Sequence, residues 1–198
     1  MPDDVAAVTE LDIAAAADAL RAGAVVAIPT DTVYGLAVDP SRRGGTDRLF
    51  TVKQRPVSVE IPVLVAGPDQ AQALAGPGGL AAPARRLAAA FWPGSLTIVM
   101  ARDPSLGWDL GGDSRTVGVR CPAHAVARRL CRDVGPLATT SANRHGGAPL
   151  VTAAAVRDAF GDDVAVVIDG GTCDGVPSTV VDVSGPTVAC VRDGAVPW

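Results

Sequence analysis

Three segments of this chain place small hydroxyls and flexible backbone directly after an apolar run: "VVAIPTDTVYG" from residue 25, "PLATTSANRHGGAP" from residue 136 and "VVIDGGTCDGVPSTVV" from residue 166. In open α/β sheets, ligands gather beyond strand ends, where backbone N–H groups and short side chains face a crevice. Exposed amides and small hydroxyls suit carboxylate and phosphate oxygens. Gly, Asn, Asp and Ser also build ordinary turns, so one such segment alone would carry little. Three of them, with Lys53 and Arg55 closing a helical stretch and Arg120 on the strand "TVGVRC", point to an anionic ligand.

The lysine stands out. The chain carries 17 Lys plus Arg, and Lys53 is the one lysine among them. An ammonium is a compact charge with three rotatable donors, whereas a guanidinium is a rigid planar fork. A crowded cluster of oxygens accepts the former more readily. A surface lysine left by chance is the plain alternative.

Other chemistries are excluded by spacing. A phosphate-binding loop of the Walker type needs Gly-Lys-Ser/Thr, and Lys53 sits between Val52 and Gln54. Gly76, Gly78 and Ala81 match a dinucleotide fingerprint, but the preceding "DQAQAL" reads as helix, so the required strand is missing. There is no G-x-S-x-G, and His124 and His145 pair with no nucleophile in a recognisable local signature. His124 reads as a capping or packing residue at a helix start, and His145 as a solvated loop residue within reach of a ligand. Cys121, Cys131, Cys173 and Cys190 form no C-x-x-C, so they read as small, mostly buried thiols rather than a zinc site. Asp31, Asp169 and Asp174 read as turn formers, leaving no carboxylate cluster ready for a metal.

These residues need a scaffold. With 198 residues, 48% hydrophobic and 19% charged, the chain is long and apolar enough for a packed domain. Its net charge of -4 does not advertise nucleic-acid binding as a whole. No apolar run approaches the roughly 18 residues of a membrane span, and the acidic start is unlike a signal peptide. A cytoplasmic protein is expected. "TELDIAAAADALRAG" reads as a helix, with Thr9 and Asp12 forming a capping box and Gly23 the stop. Further helices are predicted over "GTDRLFTVKQR", "PDQAQALAG", "AAPARRLAAAFW", "AHAVARRLCRDVG" and "TAAAVRDAFG". Strands are predicted over "AVVAIPT", "IPVLVAG", "SLTIVMA", "TVGVRC", "PLATTSAN", "VAVVIDGG", "STVVDVSG" and "TVACVRDG". The elements mix without strict alternation, giving α/β with a mixed sheet whose later part is antiparallel. One domain over 1–198 is expected, since no repeat or linker is visible.

Six ordered blocks, "IPTDTVYGLAVDP", "KQRP", "FWPGSLTIV", "VGVRCPAH", "TTSAN" and "IDGGTCDGVPSTVVDV", closely resemble the YrdC-like family of threonylcarbamoyl-AMP synthases. The resemblance spans nearly the whole chain. It implies a bacterial-type single-domain enzyme with a twisted mixed β-sheet flanked by helices around a deep, positively lined cleft. It also implies a reaction joining L-threonine, bicarbonate and ATP into threonylcarbamoyl-AMP and pyrophosphate. Magnesium would enter with the triphosphate, and downstream proteins would transfer the product to tRNA, with at most weak tRNA contact by this chain. The family's K-x-R…S-x-N signature falls on Lys53, Arg55, Ser141 and Asn143, implied to face ATP, with Lys53 and Arg55 as the catalytic pair. Thr116 and Arg192 match further ATP contacts. Thr30, Arg120, Thr139 and Ser178 match threonine contacts, Arg120 being suited to the carboxylate.

One departure stands against that pattern. Relatives usually carry a second basic residue between K-x-R-P and the next strand, where this chain has Val59 and Glu60. Either Arg144 compensates, or nucleotide affinity is reduced, or the chemistry has drifted. Two other functions compete: an RNA-binding module of the same fold, and a related carbamoyl-transfer domain. An aromatic content of 4% leaves few stacking platforms for the first.

Overall fold

The computed structural model describes residues 8–54, 56–144 and 146–198; Arg55 and His145 lie outside the described residues. Six α-helices are described: α1 Glu10–Arg21, α2 Gly45–Lys53, α3 Pro68–Leu74, α4 Ala82–Phe91, α5 Ala125–Val134 and α6 Ala153–Phe160. The nine strands are β1 Val26–Ile28, β2 Gly35–Val38, β3 Val63–Leu64, β4 Leu96–Ala101, β5 Thr116–Arg120, β6 Leu137–Ser141, β7 Val166–Val167, β8 Thr179–Asp182 and β9 Ala189–Arg192. They form one mixed sheet in the order β7-β1-β2-β6-β3-β5-β4-β8-β9.

Local signals set the helix ends. The Thr9 hydroxyl accepts from the Asp12 N–H at 3.2 Å while the Asp12 carboxylate accepts from the Thr9 N–H at 2.9 Å, the reciprocal capping box expected. His124 caps α5, its Nδ1 accepting from the Val126 N–H at 3.3 Å. The left-handed Gln54, at φ 54°, turns the chain out of α2 immediately after Lys53.

Strand parity divides the core in two. On β1, Val26 and Ile28 pack with α1 and α5 residues such as Leu20 and Leu130, while Ala27 joins the larger cluster under α2, α3, α4 and α6. A strand covered on both faces reads as an unbroken apolar run, which is why "VVAI" shows no alternation. Nearer the other edge the pattern changes. Leu96, Ile98 and Met100 of β4 and Val117 and Val119 of β5 enter the larger cluster. The intervening positions, Thr97 and Arg120, are buried but polar. Successive side chains of a strand point to opposite faces, so one face of these strands builds the core and the other is left for chemistry.

Two sequence expectations need correction. Nothing in "TVYGLAVDP" was expected to be a strand, yet β2 runs antiparallel between β1 and β6, with Gly35 opposite Ser141. Its first residue has no room for a side chain: a Cβ on Gly35 would come within 2.7 Å of Thr139 Cγ2. The three closing strands are not an antiparallel set. β8 and β9 pair antiparallel, but β7 lies at the far edge, parallel to β1. All four cysteines are free; Cys121 and Cys131 are buried, whereas Cys173 and Cys190 are only half-buried. Among the described residues no helix is long and apolar enough to cross a membrane.

Ile98, 1% exposed, packs in the larger cluster directly beneath the polar face of β4. Ile98→Ala should cost about 2–5 kcal/mol of unfolding free energy in a denaturant titration.

Candidate active site

The polar face of the sheet opens into a cavity of about 210 Å³, lined by Thr30, Thr32, Thr97, Arg120, Thr139, Ser141, Ser178 and Arg192 among others. Its charged lining residues are both arginines. The lining does not follow one row of strand ends, as the sequence led us to expect. Ser141 pairs with Gly35 at one level of the ladder, whereas Arg120 pairs with Leu64, itself opposite Leu137. Four residues of β6 separate those levels, about 13 Å along a strand. The cavity therefore runs along the sheet face.

Arg120 is the fixed charge of this cavity, at 6% exposure. Its Nε donates to the Gly94 carbonyl at 3.0 Å and its Nη1 to the Thr32 hydroxyl at 2.8 Å. Nη2 lies 2.7 Å from Asp31 Oδ1, yet this nitrogen has no hydrogen-bond partner among the described residues. The contact is thus an ion pair at close range without an aligned N–H. Burial pushes Asp31 upward, but the Arg120 charge and hydrogen bonds to the carboxylate outweigh it and hold Asp31 below the usual carboxylate range. Asp31 also accepts from the Ser95 hydroxyl at 3.0 Å and the Ala123 N–H at 2.9 Å. Asp31 is therefore more than the turn former its sequence context implied. Asp169 does form a turn, accepting from the Gly171 N–H at 3.3 Å.

The second arginine stands at the rim. Arg192 donates through Nε and Nη2 to the Ser178 carbonyl at 3.1 and 2.6 Å, and through Nη2 to the Ser178 hydroxyl at 3.0 Å. That hydroxyl lies 2.9 Å from the Thr97 hydroxyl. Burial lowers the Arg192 pKa, and so does the like charge of Arg120. Two guanidinium groups that repel across one cavity favour an anion between them.

Lys53, 3% exposed, is turned onto the loop that leaves β6. Its ammonium donates to the Ser141 and Asn143 carbonyls at 2.7 and 3.0 Å and to Asn143 Oδ1 at 2.5 Å, with the Ser141 hydroxyl at 3.4 Å. The Ser141 hydroxyl donates to Asn143 Oδ1 at 2.7 Å, and Asn143 Nδ2 reaches the Arg144 and Gly147 carbonyls at 3.0 and 2.6 Å. Oxygens converging from several directions suit three rotatable donors better than a planar fork. The last turn of α2, with its partial negative charge, adds to the fit.

The structure thus brings Lys53, Ser141 and Asn143 into one cluster and Thr30, Thr139, Arg120, Ser178 and Arg192 around one cavity, with Ser141 shared. Thr116 is not among them. It begins β5, four residues from Arg120, and its hydroxyl donates to Glu60 at 3.3 Å. Thr30 and Thr139 also have local duties: their hydroxyls donate to the Val33 and Leu137 carbonyls at 2.6 and 3.1 Å. Arg144 does not stand in for the missing basic residue. Its guanidinium lies over the Phe160 ring at 4.8 Å and donates to the Val52 carbonyl at 2.7 Å and the Ala159 carbonyl at 3.1 Å. Sequence reasoning missed Thr32, Thr97 and the role of Asp31; only the arginine's need for a counter-charge could have pointed to the last. Tyr34 is fully buried; its hydroxyl donates to the Gly171 carbonyl at 2.9 Å and accepts from the Gly170 N–H at 3.1 Å.

A family model for Sua5/YciO/YrdC proteins, described as telomere recombination, matches residues 18–194. The chain belongs to the Sua5/YciO/YrdC family. A Mycobacterium tuberculosis relative is 41% identical over 187 residues, covering 93% of this chain and 84% of its own length. The threonylcarbamoyl-AMP synthase of Vibrio cholerae is 38% identical over 159 residues, covering 79% of this chain and 84% of its own. The crystal structure of Pyrococcus abyssi Sua5 complexed with L-threonine superposes with a TM-score of 0.90 at 34% identity, over 96% of this chain and 56% of that one. This chain spans a little over half the length of that archaeal protein.

Two predictions concern the frame of this family site. A Cβ on Gly194 would sit 2.5 Å from the backbone of Ser178 and Thr179. Neither backbone can yield, so Gly194→Ala should destabilise the fold by about 1–3 kcal/mol in a denaturant titration. Burial pushes Glu60 up to about 6, against hydrogen bonds from Gly118 and Thr116 that favour its ionised form. Its folded pKa lies above the ordinary 4.5, so folding takes up a proton and this contribution to stability is lost as pH rises from 4.5 through about 6. Glu60→Gln should therefore raise the melting temperature at pH 8, with the gain shrinking toward pH 4.

Proposed function

We propose that this chain is an L-threonylcarbamoyladenylate synthase, one YrdC-like catalytic domain over 1–198 that makes threonylcarbamoyl-AMP and pyrophosphate from L-threonine, bicarbonate and ATP. The observation that carries this reading is the cavity in which buried Arg120 faces a ring of hydroxyls and a second arginine at the rim. A cavity of about 210 Å³ is small for a nucleotide and suited to an amino acid, whose carboxylate pairs with Arg120. The nucleotide would extend from it past Ser141 toward the loop held by Lys53, with Arg192 over the phosphates.

In this reading the threonine amine either attacks carbon dioxide and loses a proton, or attacks bicarbonate with a C–O bond breaking and water leaving, and so becomes a carbamate. A carbamate oxygen then attacks the α-phosphorus, the bond to the bridging β-phosphate oxygen breaks, and pyrophosphate departs. No covalent enzyme nucleophile is needed. Catalysis is positioning plus stabilisation of the charge spreading over phosphate oxygens. Lys53 would act here chiefly by shaping the 141–143 loop and by its nearby charge, since its donors already meet that loop. Arg55 would complete the pair on the phosphate side. Among the described residues no group of three or more His, Cys, Asp or Glu could hold a metal. Magnesium would enter as the MgATP complex, with the ion neutralising phosphate charge. The product would pass to downstream proteins that modify tRNA in the cytoplasm, with at most weak tRNA contact here.

Purified protein with MgATP should release pyrophosphate only when L-threonine and bicarbonate are both present. Threonine-independent release, or none, would sink the assignment. Lys53→Ala should lower kcat/KM roughly a hundredfold or more. Lys53→Arg should fail to restore it, because the fork cannot meet the converging oxygens of Ser141 and Asn143.

A further inference from the structure

Arg120 is buried with one nitrogen whose N–H groups meet no acceptor, although a carboxylate oxygen lies 2.7 Å away. A buried guanidinium needs a counter-charge, and a buried N–H needs an acceptor. Asp31 meets the first need and leaves the second unmet. The carboxylate is also held by two other groups, its Oδ1 accepting from the Ala123 N–H and its Oδ2 from the Ser95 hydroxyl. Gly94, whose carbonyl accepts a hydrogen bond from Arg120 Nε, is the neighbour of Ser95 in the segment before β4. The plane of the guanidinium is thus set from three sides, by Gly94, Thr32 and Asp31, in a residue that lines the cavity.

We propose that Asp31 is a positioning residue for the substrate carboxylate: it neutralises Arg120 and fixes the orientation in which that arginine meets the cavity. The inference rests on the threonine-binding reading of this cavity and adds to it a residue that touches the arginine rather than the substrate. A competing role follows from the same charges. Asp31 and a bound carboxylate would repel each other across Arg120, so an aspartate acting only as a placeholder would weaken threonine binding. The two roles predict opposite signs.

The test measures L-threonine binding by calorimetry, alongside threonine KM and kcat from pyrophosphate release, for wild type, Asp31→Asn, Asp31→Glu and Ser95→Ala. Asn keeps the shape and removes the charge. Asp31→Asn should weaken threonine binding and raise its KM on the order of tenfold to a hundredfold, as expected for a misplaced binding group, with a much smaller change in kcat and in the ATP KM. Asp31→Glu should recover part of that loss. Ser95→Ala, which frees one side of the carboxylate and leaves the ion pair in place, should shift KM in the same direction by less, and serves if Asp31→Asn does not fold. Unchanged or tighter threonine binding in Asp31→Asn overturns the proposal while leaving the synthase assignment standing. Wild-type threonine binding that depends on Asp31, with no pyrophosphate release, overturns the synthase assignment and upholds the positioning role. No threonine binding by the wild type overturns both.

Discussion

The site is organised around a guanidinium that the fold takes out of water. An arginine stays charged at any accessible pH, so burying Arg120 obliges the surrounding chain to answer that charge. The answer comes from three separate segments: Asp31 and Thr32 after β1, Gly94 and Ser95 before β4, and the Ala123 amide that holds Asp31. Segments far apart in the chain are brought together because each must satisfy one group. The cavity is their common boundary, and the repulsion between Arg120 and Arg192 keeps it receptive to an anion.

Lys53 plays the corresponding part at the other end of the cavity. An ammonium amid carbonyls from Ser141 and Asn143 fixes a loop that would otherwise turn those oxygens to solvent. The signature K-x-R…S-x-N is therefore a structural unit before it is a contact list. Its lysine and its serine–asparagine arm are bonded to one another, and the conformation of the loop depends on both.

Much of this was legible in the sequence. Capping at Thr9 and the hydroxyl-rich segments are local features, decided by a few neighbouring residues, whereas the helix expected over "GTDRLFTVKQR" ends at Lys53, where Gln54 turns left-handed. β2 was hidden because its start is a glycine imposed by Thr139 across the sheet, a non-local constraint that lowers strand signal. β7 was misplaced because pairing partners are chosen by topology, which periodicity does not encode. Arg120 stood out by its place at a strand end, but its counter-charge lies 89 positions earlier in sequence, in a segment that reads equally well as a turn. Arg144 illustrates the reverse error: its charge invited a phosphate, and the Phe160 ring and two carbonyls claimed it.

The division of β4 and β5 into an oily side and a working side has an evolutionary consequence. Val119 and Arg120 are adjacent in sequence, yet one belongs to the larger apolar cluster and the other lines the cavity. A one-codon insertion inside β5 would invert both inventories at once, driving the arginine into oil and the valine into the pocket. Divergence in this part of the chain is thus confined to substitution in place, and changes of length must accumulate in the connections between strands.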